Sequence, residues 1–448
     1  MRVAIVGSGI AGLAAAHTLA RQGAGRFDLV VFEAAGYFGG HTQTVDVTLP
    51  GPNGPITCGV DTGFLVFNER TYPGLIALFA TLGVDTAKSE MSFSVRSSAP
   101  DAGSALEWSG VNLSGVFAQR RNIFSWRFLR MLRDLGRFND LCTHLAQSGE
   151  EADLRQPLGD FLREHRFSRE FSEWYFLPMV ACIWSCPTRQ MLEFPVATMI
   201  RFCHNHGLLQ VSNRPQWWTV RGGARNYVEK ITSGLMDKRL NTPVLAIERM
   251  ALCATRGVRV FTKDGPEYFD KIIIATHPDQ ALAMLRNPSP LEERTLGAIR
   301  YHPNTAVLHT DESVLPTRRS AWAAWNYERL AHRPQGQSRA EAEHSVCLHY
   351  LINKLQPLPW QQSVVVSLNP LRDIPASKIL GKFAYAHPVL DKSAVAAQRQ
   401  VAWLQGDLHT LYCGAWMAYG FHEDGLQAGV AAANHLLGKV SVRREEFV

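Results

Sequence analysis

Val3-Ala4-Ile5-Val6-Gly7-Ser8-Gly9-Ile10-Ala11-Gly12 opens the chain and decides its fold class. The first four residues are a β-rich run. The next six match Gly-x-Gly-x-x-Gly, and Leu13 to Arg21 is rich in Ala and Leu, as a helix requires. Asp28-Leu29-Val30-Val31-Phe32 reads as a second strand, and Glu33, 21 residues beyond Gly12, closes it. Each glycine has its own task. Gly7 permits the tight turn off the strand, Gly9 lets a pyrophosphate approach the backbone, and Gly12 lets the helix pack closely on the sheet. The helix start, including Ile10 and Ala11, offers unpaired N–H groups and the positive end of its dipole to phosphates. Glu33 is placed to accept hydrogen bonds from ribose hydroxyls. A carboxylate there repels a 2′-phosphate, which disfavours NADP.

The whole composition fits this reading. The 448 residues are 46% hydrophobic and 19% charged, a globular balance with ample chain for a core and more than one packed region. A polytopic membrane protein is excluded, because the longest apolar run, Trp174 to Trp184, is far short of the about 20 residues a spanning helix needs. Arg2 leads directly into the first strand and not into a cleavable apolar segment, so the expected location is cytoplasmic. The net charge of +6 weakly favours anionic partners such as a pyrophosphate or a phospholipid surface. The eight cysteines are scattered without a Cys-x-x-Cys pair, and His204-Asn205-His206 lacks partner ligands, so neither suggests a metal. Cys182 and Cys186 read as buried, reduced thiols.

Further motifs choose the cofactor. Glu33-Ala34 is followed by Gly39-Gly40-His41-Thr42, and Val60-Asp61-Thr62-Gly63-Phe64-Leu65-Val66-Phe67-Asn68-Glu69 lies beyond. Tyr350-Leu351-Ile352-Asn353-Lys354-Leu355-Gln356 and Tyr385-Ala386-His387-Pro388 come later. With these stretches the chain resembles flavoproteins of the amine oxidase and phytoene desaturase clan. Within the clan it resembles an NAD/FAD-binding branch associated with cyclopropane-fatty-acid-synthase-like methyltransferases. The resemblance implies FAD. It places Gly39, Gly40, His41 and Thr42 at the phosphates, with His41 where the clan usually has Arg. It adds Ala34, Gly63 and Phe64 as cofactor contacts, Val244 on the adenine side, and Ala275 and Thr276 at the end of a strand under the nucleotide. It also puts Gly414 and the segment Asp424, Gly425, Leu426 and Gln427 near the ribityl chain and ring. The expected fold is α/β: a discontinuous Rossmann-like FAD-binding domain (1–65, 215–290 and 405–437) with an inserted α+β substrate domain (66–214 and 291–404). A short tail, 438–448, follows.

The same resemblance implies a lipid or acyl-chain substrate, as in furan fatty acid synthesis from methylated unsaturated chains, and a methyltransferase partner. Hydride transfer from an activated C–H to flavin N5 is the expected chemistry. His422 and Glu423, in a loop expected near the ring, and His387 are the acid–base candidates. No second dinucleotide motif occurs, so dioxygen, a quinone or another carrier is the expected electron acceptor. Two alternatives stand beside this reading. One is a soluble amine oxidase with an aromatic cage from Trp416, Tyr419 and Phe421; the other is a non-catalytic flavoprotein partner of a methyltransferase.

The segment Phe171 to Trp184, with Phe194 to Phe202, is a candidate tunnel lining, although core is the commoner fate of such residues. Thr242 to Ile247 reads as a strand, the Ala-rich stretch Leu426 to Leu437 as a helix, and Arg333 to Glu343 as an exposed loop. Phe124, Phe128, Met131, Leu135, Phe138 and Cys142 share one helical face, with Arg127, Arg130, Arg133 and Arg137 mainly opposite and Trp126 on the flank. Such a basic amphipathic helix within 120–142 suits either an anionic membrane at the inner face or a solvated helix packed on a core. Nucleic acid binding is not expected, because no recognised motif accompanies the charge.

Overall fold

The computed structural model describes residues 1–98, 105–184, 188–210, 214–250, 257–330 and 347–439. Cys186, the loop Arg333 to Glu343 and nearly all of the tail lie outside the described residues.

Five parallel strands form the first sheet. Their spatial order is Asp237–Arg239, Asp28–Phe32, Arg2–Val6, Lys271–Ile274 and Thr410–Tyr412. Strands this apolar are expected where helices or a second sheet cover both faces. Val3 and Ile5 point to one covered face, and Ala4 and Val6 to the other, all essentially buried. On the first face lie the helix Ile10–Gln22 and the last helix, His422–Leu436. These helices touch at backbone distance: a Cβ on Gly429 would stand 2.0 Å from the Ala11 carbonyl oxygen. On the second face sits an antiparallel three-stranded layer, Ala246–Met250, Gly257–Thr262 and Gly265–Phe269.

A seven-stranded mixed sheet forms the other main layer. Its order is Ile379–Pro388, Tyr301–His309, Val365–Leu368, Cys347–Leu351, Trp325–Arg329, Phe93–Ser97 and Leu106–Ser109. Helices from 113 to 205 pack on it, and together they bury the largest apolar cluster of the described residues. The fold is the expected α/β arrangement, with a parallel sheet beside a mixed sheet.

Three local expectations need correction. The strand expected over Thr242 to Ile247 starts only at Ala246. Pro243 has no N–H, and the Thr242 N–H is used by the Glu33 carbonyl, so this piece is pinned to the sheet's end as a connection. The last helix starts at His422 and not at Leu426, because the Asp424 carboxylate accepts the Phe421 N–H at 2.8 Å and closes a capping turn. Finally, Phe124 is not part of the amphipathic face. Ser125 caps the helix Trp126–Ser148, so Phe124 falls in the preceding 3-10 turn and is 89% exposed. Phe128, Met131, Phe138 and Cys142 are buried as that face requires.

Two glycine substitutions test the packing account. Gly429→Ala forces the last helix off the first, so we expect a loss of about 1–3 kcal/mol, read as a lower Tm. Gly136→Ala lies in the middle of the helix Trp126–Ser148, where a Cβ meets nothing within 4 Å. It should raise stability by up to about 1 kcal/mol. Equal Tm shifts for both variants would contradict the close helix contact.

Candidate cofactor and active site

The N-terminus of the helix Ile10–Gln22 is the anchor of the site. Its N-cap, Gly9, supplies no side-chain cap, and the first turn holds no acidic residue. Those N–H groups are left for an external anion. Gly7, at φ 98°, makes the turn, and a Cβ there would sit 2.8 Å from the Ala275 carbonyl oxygen. A Cβ on Gly12 would lie 2.0 Å from the Gly7 carbonyl oxygen. Gly9 differs: its φ of −63° suits any residue, and a Cβ would meet nothing within 4 Å. The protein itself does not need glycine at this position. The open space above Gly9, beside uncapped N–H groups, fits a diphosphate.

The second glycine pair closes the same cradle. Gly39 donates its N–H to the Ser8 carbonyl at 3.0 Å and forms a bridge with Gly9. Gly40, at φ 58°, holds its would-be Cβ 3.2 Å from the Gly9 Cα. Glu33 ends its strand with the carboxylate at the cradle's base, accepting from the Ser8 N–H at 3.0 Å, the Ser8 hydroxyl and the Ala35 N–H. Ala34 is exposed at the same end. Val244 is half-buried two residues beyond Thr242, whose N–H donates to the Glu33 carbonyl, which keeps it near the same end.

Toward the other end, four half-buried histidines gather from distant parts of the chain. His41 donates through Nε2 to the Ala386 carbonyl at 3.1 Å. Its ring centre is 5.4 Å from that of His387 and 6.2 Å from that of His277. His387 accepts at Nδ1 from the Asn304 amide at 2.9 Å. His277 stacks on Tyr301 at 3.8 Å, and Tyr385 lies 5.0 Å from His41. His422 stacks on Phe64 at 3.8 Å, and its Nε2 meets the Tyr227 hydroxyl at 2.7 Å; that hydroxyl also meets Thr42 at 2.7 Å. Gly63 permits this arrangement, since a Cβ would lie 2.2 Å from the His41 carbonyl oxygen.

Burial is the main force on these imidazoles and drives all four toward the neutral form. It lowers the pKa of His41, brings His277 to about 4, and brings His387 and His422 to about 3. The histidines oppose one another's charge as well. Near pH 7 they act as neutral hydrogen-bonding groups and weak bases: His41, donating at Nε2, keeps its lone pair on Nδ1, whereas that of His387 already accepts from Asn304. His422 and His387 therefore do not carry the near-neutral titration expected of them.

Glu423 is also corrected. Its carboxylate accepts the Gly74 and Leu75 N–H groups at 2.8 and 2.9 Å, capping the helix Pro73–Leu82, whose own N-cap residue makes no side-chain cap bond. Gln427 donates to Glu423 at 2.6 Å, Leu426 is buried, and a Cβ on Gly425 would approach Ile10 at 2.8 Å. From Asp424 to Gln427 the side chains are thus used for packing and capping, leaving only backbone groups to face a ligand. Gly414 precedes Trp416, whose indole donates to the Thr276 carbonyl at 3.2 Å and ties two strand ends together beside Ala275. Trp416 is buried there and does not belong to a cage. Tyr419 and Phe421 instead join Trp184 and Phe202, with Phe202 and Phe421 stacked at 5.0 Å.

Sequence reading missed Tyr227, Tyr301, Asn304 and Tyr385, and gave His277 no role. One signal was available: Tyr385 and His387, two apart on a strand, share a face. Their register partners are Asn304 and His302.

The chain belongs to the flavin containing amine oxidoreductase family, whose profile matches residues 10–354. FAD is accordingly its cofactor, and the cradle above Gly9 fits that group. Among solved structures the chain is similar to the CLA-producing fatty acid isomerase from P. acnes, at 17% identity over 98% of this chain and 99% of that one, TM-score 0.64. It is also similar to cyclohexylamine oxidase from Brevibacterium oxydans IH-35A, at 17% identity over 97% and 99% of the two chains, TM-score 0.64. Putrescine oxidase bound to putrescine matches at 14% identity over 98% and 99%, TM-score 0.64. At these identities the likeness is one of fold. No curated protein sequence matches the chain.

Two outcomes follow. Gly9→Val should leave the apoprotein's Tm nearly unchanged, yet abolish flavin absorbance near 450 nm after reconstitution, roughly the range of any oxidised flavin; a yellow variant would refute the cradle. The second concerns pH. An imidazole held neutral to about pH 3 when folded takes up a proton near 6.5 when unfolded. Its stabilising contribution is complete above 6.5 and lost as pH falls. His387→Gln should reduce the acid loss of apoprotein stability between pH 6.5 and 4 by up to about 1 kcal/mol per pH unit relative to wild type. Parallel stability curves would show that His387 is not held neutral.

Proposed function

We propose that this flavoenzyme oxidises a lipid acyl chain, desaturating or oxygenating a methylated unsaturated phospholipid as in furan fatty acid synthesis. A methyl transfer to an unsaturated chain would supply such a substrate, which is why a lipid methyltransferase is the proposed partner. The observation that carries the reading is the apolar wall beside the 414–421 loop. Trp184 packs against Phe194, Phe202 and Phe421 and donates its indole N–H to the Tyr419 carbonyl at 3.2 Å. A cavity of about 150 Å³ adjoins this wall, lined on its apolar side by Trp184, Met191, Phe194, Val389 and Leu390. Such a surface suits methylene groups. By contrast Phe171 and Phe176 pack on Phe138 as ordinary core, so only the Trp184 end of the apolar segment belongs to the wall.

Bound FAD would supply the hydride acceptor, and in an oxygenation dioxygen would supply the added oxygen atom. The chain's own residues would position the reacting carbon and exclude water. The neutral imidazoles, His41 with its Nδ1 lone pair among them, would accept a hydrogen bond from a water or substrate hydroxyl, and a proton lost from carbon would pass through such an acceptor to solvent. The fatty acid isomerase among the similar folds is in keeping with an acyl substrate.

Amine oxidation is the second reading, favoured by the aromatic group of Tyr419, Phe421, Trp184 and Phe202. An amine would need a carboxylate to receive its cation. Of the two acids lining the cavity, Asp391 pairs with Arg300 at 2.8 Å and caps the helix Lys392–Gln398, which leaves the exposed Glu193 as the carboxylate an amine would use. Anaerobic incubation of the holoenzyme separates the readings. Methylated phospholipid in detergent should bleach the flavin, and putrescine should not. Bleaching by putrescine alone would establish the amine reading, and bleaching by neither would leave a flavoprotein without the proposed turnover.

A further inference from the structure

We infer that the surface formed by residues 111–129 is a docking site for an anionic phospholipid bilayer. It stands on observations separate from the active site and therefore does not depend on the acyl-oxidation reading. Among the described residues twelve large hydrophobic side chains are exposed, and six of them fall here: Val111, Leu113, Ile123, Phe124, Trp126 and Leu129. Scattered exposed apolar groups are ordinary, but this concentration is not. Phe124 is 89%, Leu113 77% and Trp126 66% exposed.

These residues occupy one continuous turn of structure. The helix Leu113–Val116 is followed by the 3-10 turn Arg120–Phe124 and then by the start of the long helix Trp126–Ser148. Phe117 and Phe128 hold the pieces together from beneath, with ring centres 6.1 Å apart. Phe128 in turn packs edge-on against Trp108 at 6.0 Å. The exposed groups are therefore presented by an anchored frame.

Charge identifies the occupant. From Val111 to Arg133 the sequence contains five arginines and no Asp or Glu. Arg127 is paired with Glu170 at 2.7 Å, and Arg133 lies 3.6 Å from Asp134. Arg120 and Arg121 are exposed and form no ion pair among the described residues; Arg121 donates only to the Ala105 carbonyl at 2.7 Å. The guanidinium of Arg130 sits 5.7 Å from the Trp126 ring centre. An exposed indole and phenyl ring, with exposed arginines that form no ion pair among the described residues in the same 3-10 turn as Phe124, match the boundary of an anionic bilayer. There the rings enter the acyl region and the arginines meet phosphates. A protein partner with an acidic apolar face is the competing occupant, and a second copy of this chain would bring arginine against arginine. No helix among the described residues is long and apolar enough to cross a membrane, so contact would be peripheral.

The test is sedimentation of the FAD-loaded full chain with vesicles of phosphatidylglycerol, and in parallel with vesicles of phosphatidylcholine. Binding should occur to the anionic vesicles and weaken with salt. Arg120→Ala with Arg121→Ala should lower partitioning by roughly 30-fold, about five-fold for each charge. Phe124→Ser with Trp126→Ser should lower it further while leaving flavin absorbance and Tm unchanged, since these side chains support nothing beneath them. Absence of binding to anionic vesicles, binding that the variants retain, or loss of the variants' effect in favour of a change in oligomeric state would each overturn the inference. Failure here leaves flavin bleaching by detergent-dispersed lipid untouched, so the two proposals fall separately.

Discussion

A helix that starts without a cap is an electrostatic demand, and much of the nucleotide half of this protein is arranged to leave that demand unmet by its own side chains. The first turn of the helix Ile10–Gln22 holds neither an acid nor a side-chain acceptor. Sheet and helix are brought together by glycines whose Cβ atoms would strike backbone, at Gly7, Gly12 and Gly429, while Gly9 faces open space. The contrast separates two uses of one residue type. Three glycines serve the fold, and one serves the anion that the fold awaits.

This half of the molecule is legible in the sequence because its information is local. The motif, its helix and Glu33 lie within one short βαβ segment, and hydrophobic periodicity with glycine spacing specifies them. The ring end of the site is written at long range. His41 meets Ala386, Asn304 meets His387, Tyr227 meets His422, and Glu423 meets Gly74 and Leu75. Only strand register and helix docking create these pairs. Glu423 shows the difficulty. An acid beside a histidine near a glycine reads as proton chemistry, until a neighbouring helix with no side-chain cap of its own proves to be what it serves. Phe124 shows a smaller version, where one capping serine shifts the helix start and turns a core residue outward.

The clan's arginine after the paired glycines is His41 here, and the environment makes that replacement more consequential. Burial keeps His41 and its three companions neutral in the protein alone. The fixed positive charge usually available beside the phosphates is therefore absent at this position. The helix dipole and backbone N–H groups must supply a larger share of the attraction. Two consequences pull in opposite directions. Cofactor affinity rests on geometry more than on net charge, while the histidine group becomes an uncharged surface, which in the proposed reading would face a neutral substrate.

That distribution of charge connects the site with the outside of the molecule. The chain carries six net positive charges, yet the half-buried histidine group contributes none of them near neutrality. Unpaired arginines stand instead on the surface around Phe124 and Trp126. An acyl chain has no charge for a groove to recognise, so binding must come from apolar contact inside and from recognition of its headgroup outside. In the proposed acyl-chain reading, a neutral interior and a basic, aromatic exterior would be the two halves of that requirement, one for the chain and one for the headgroup.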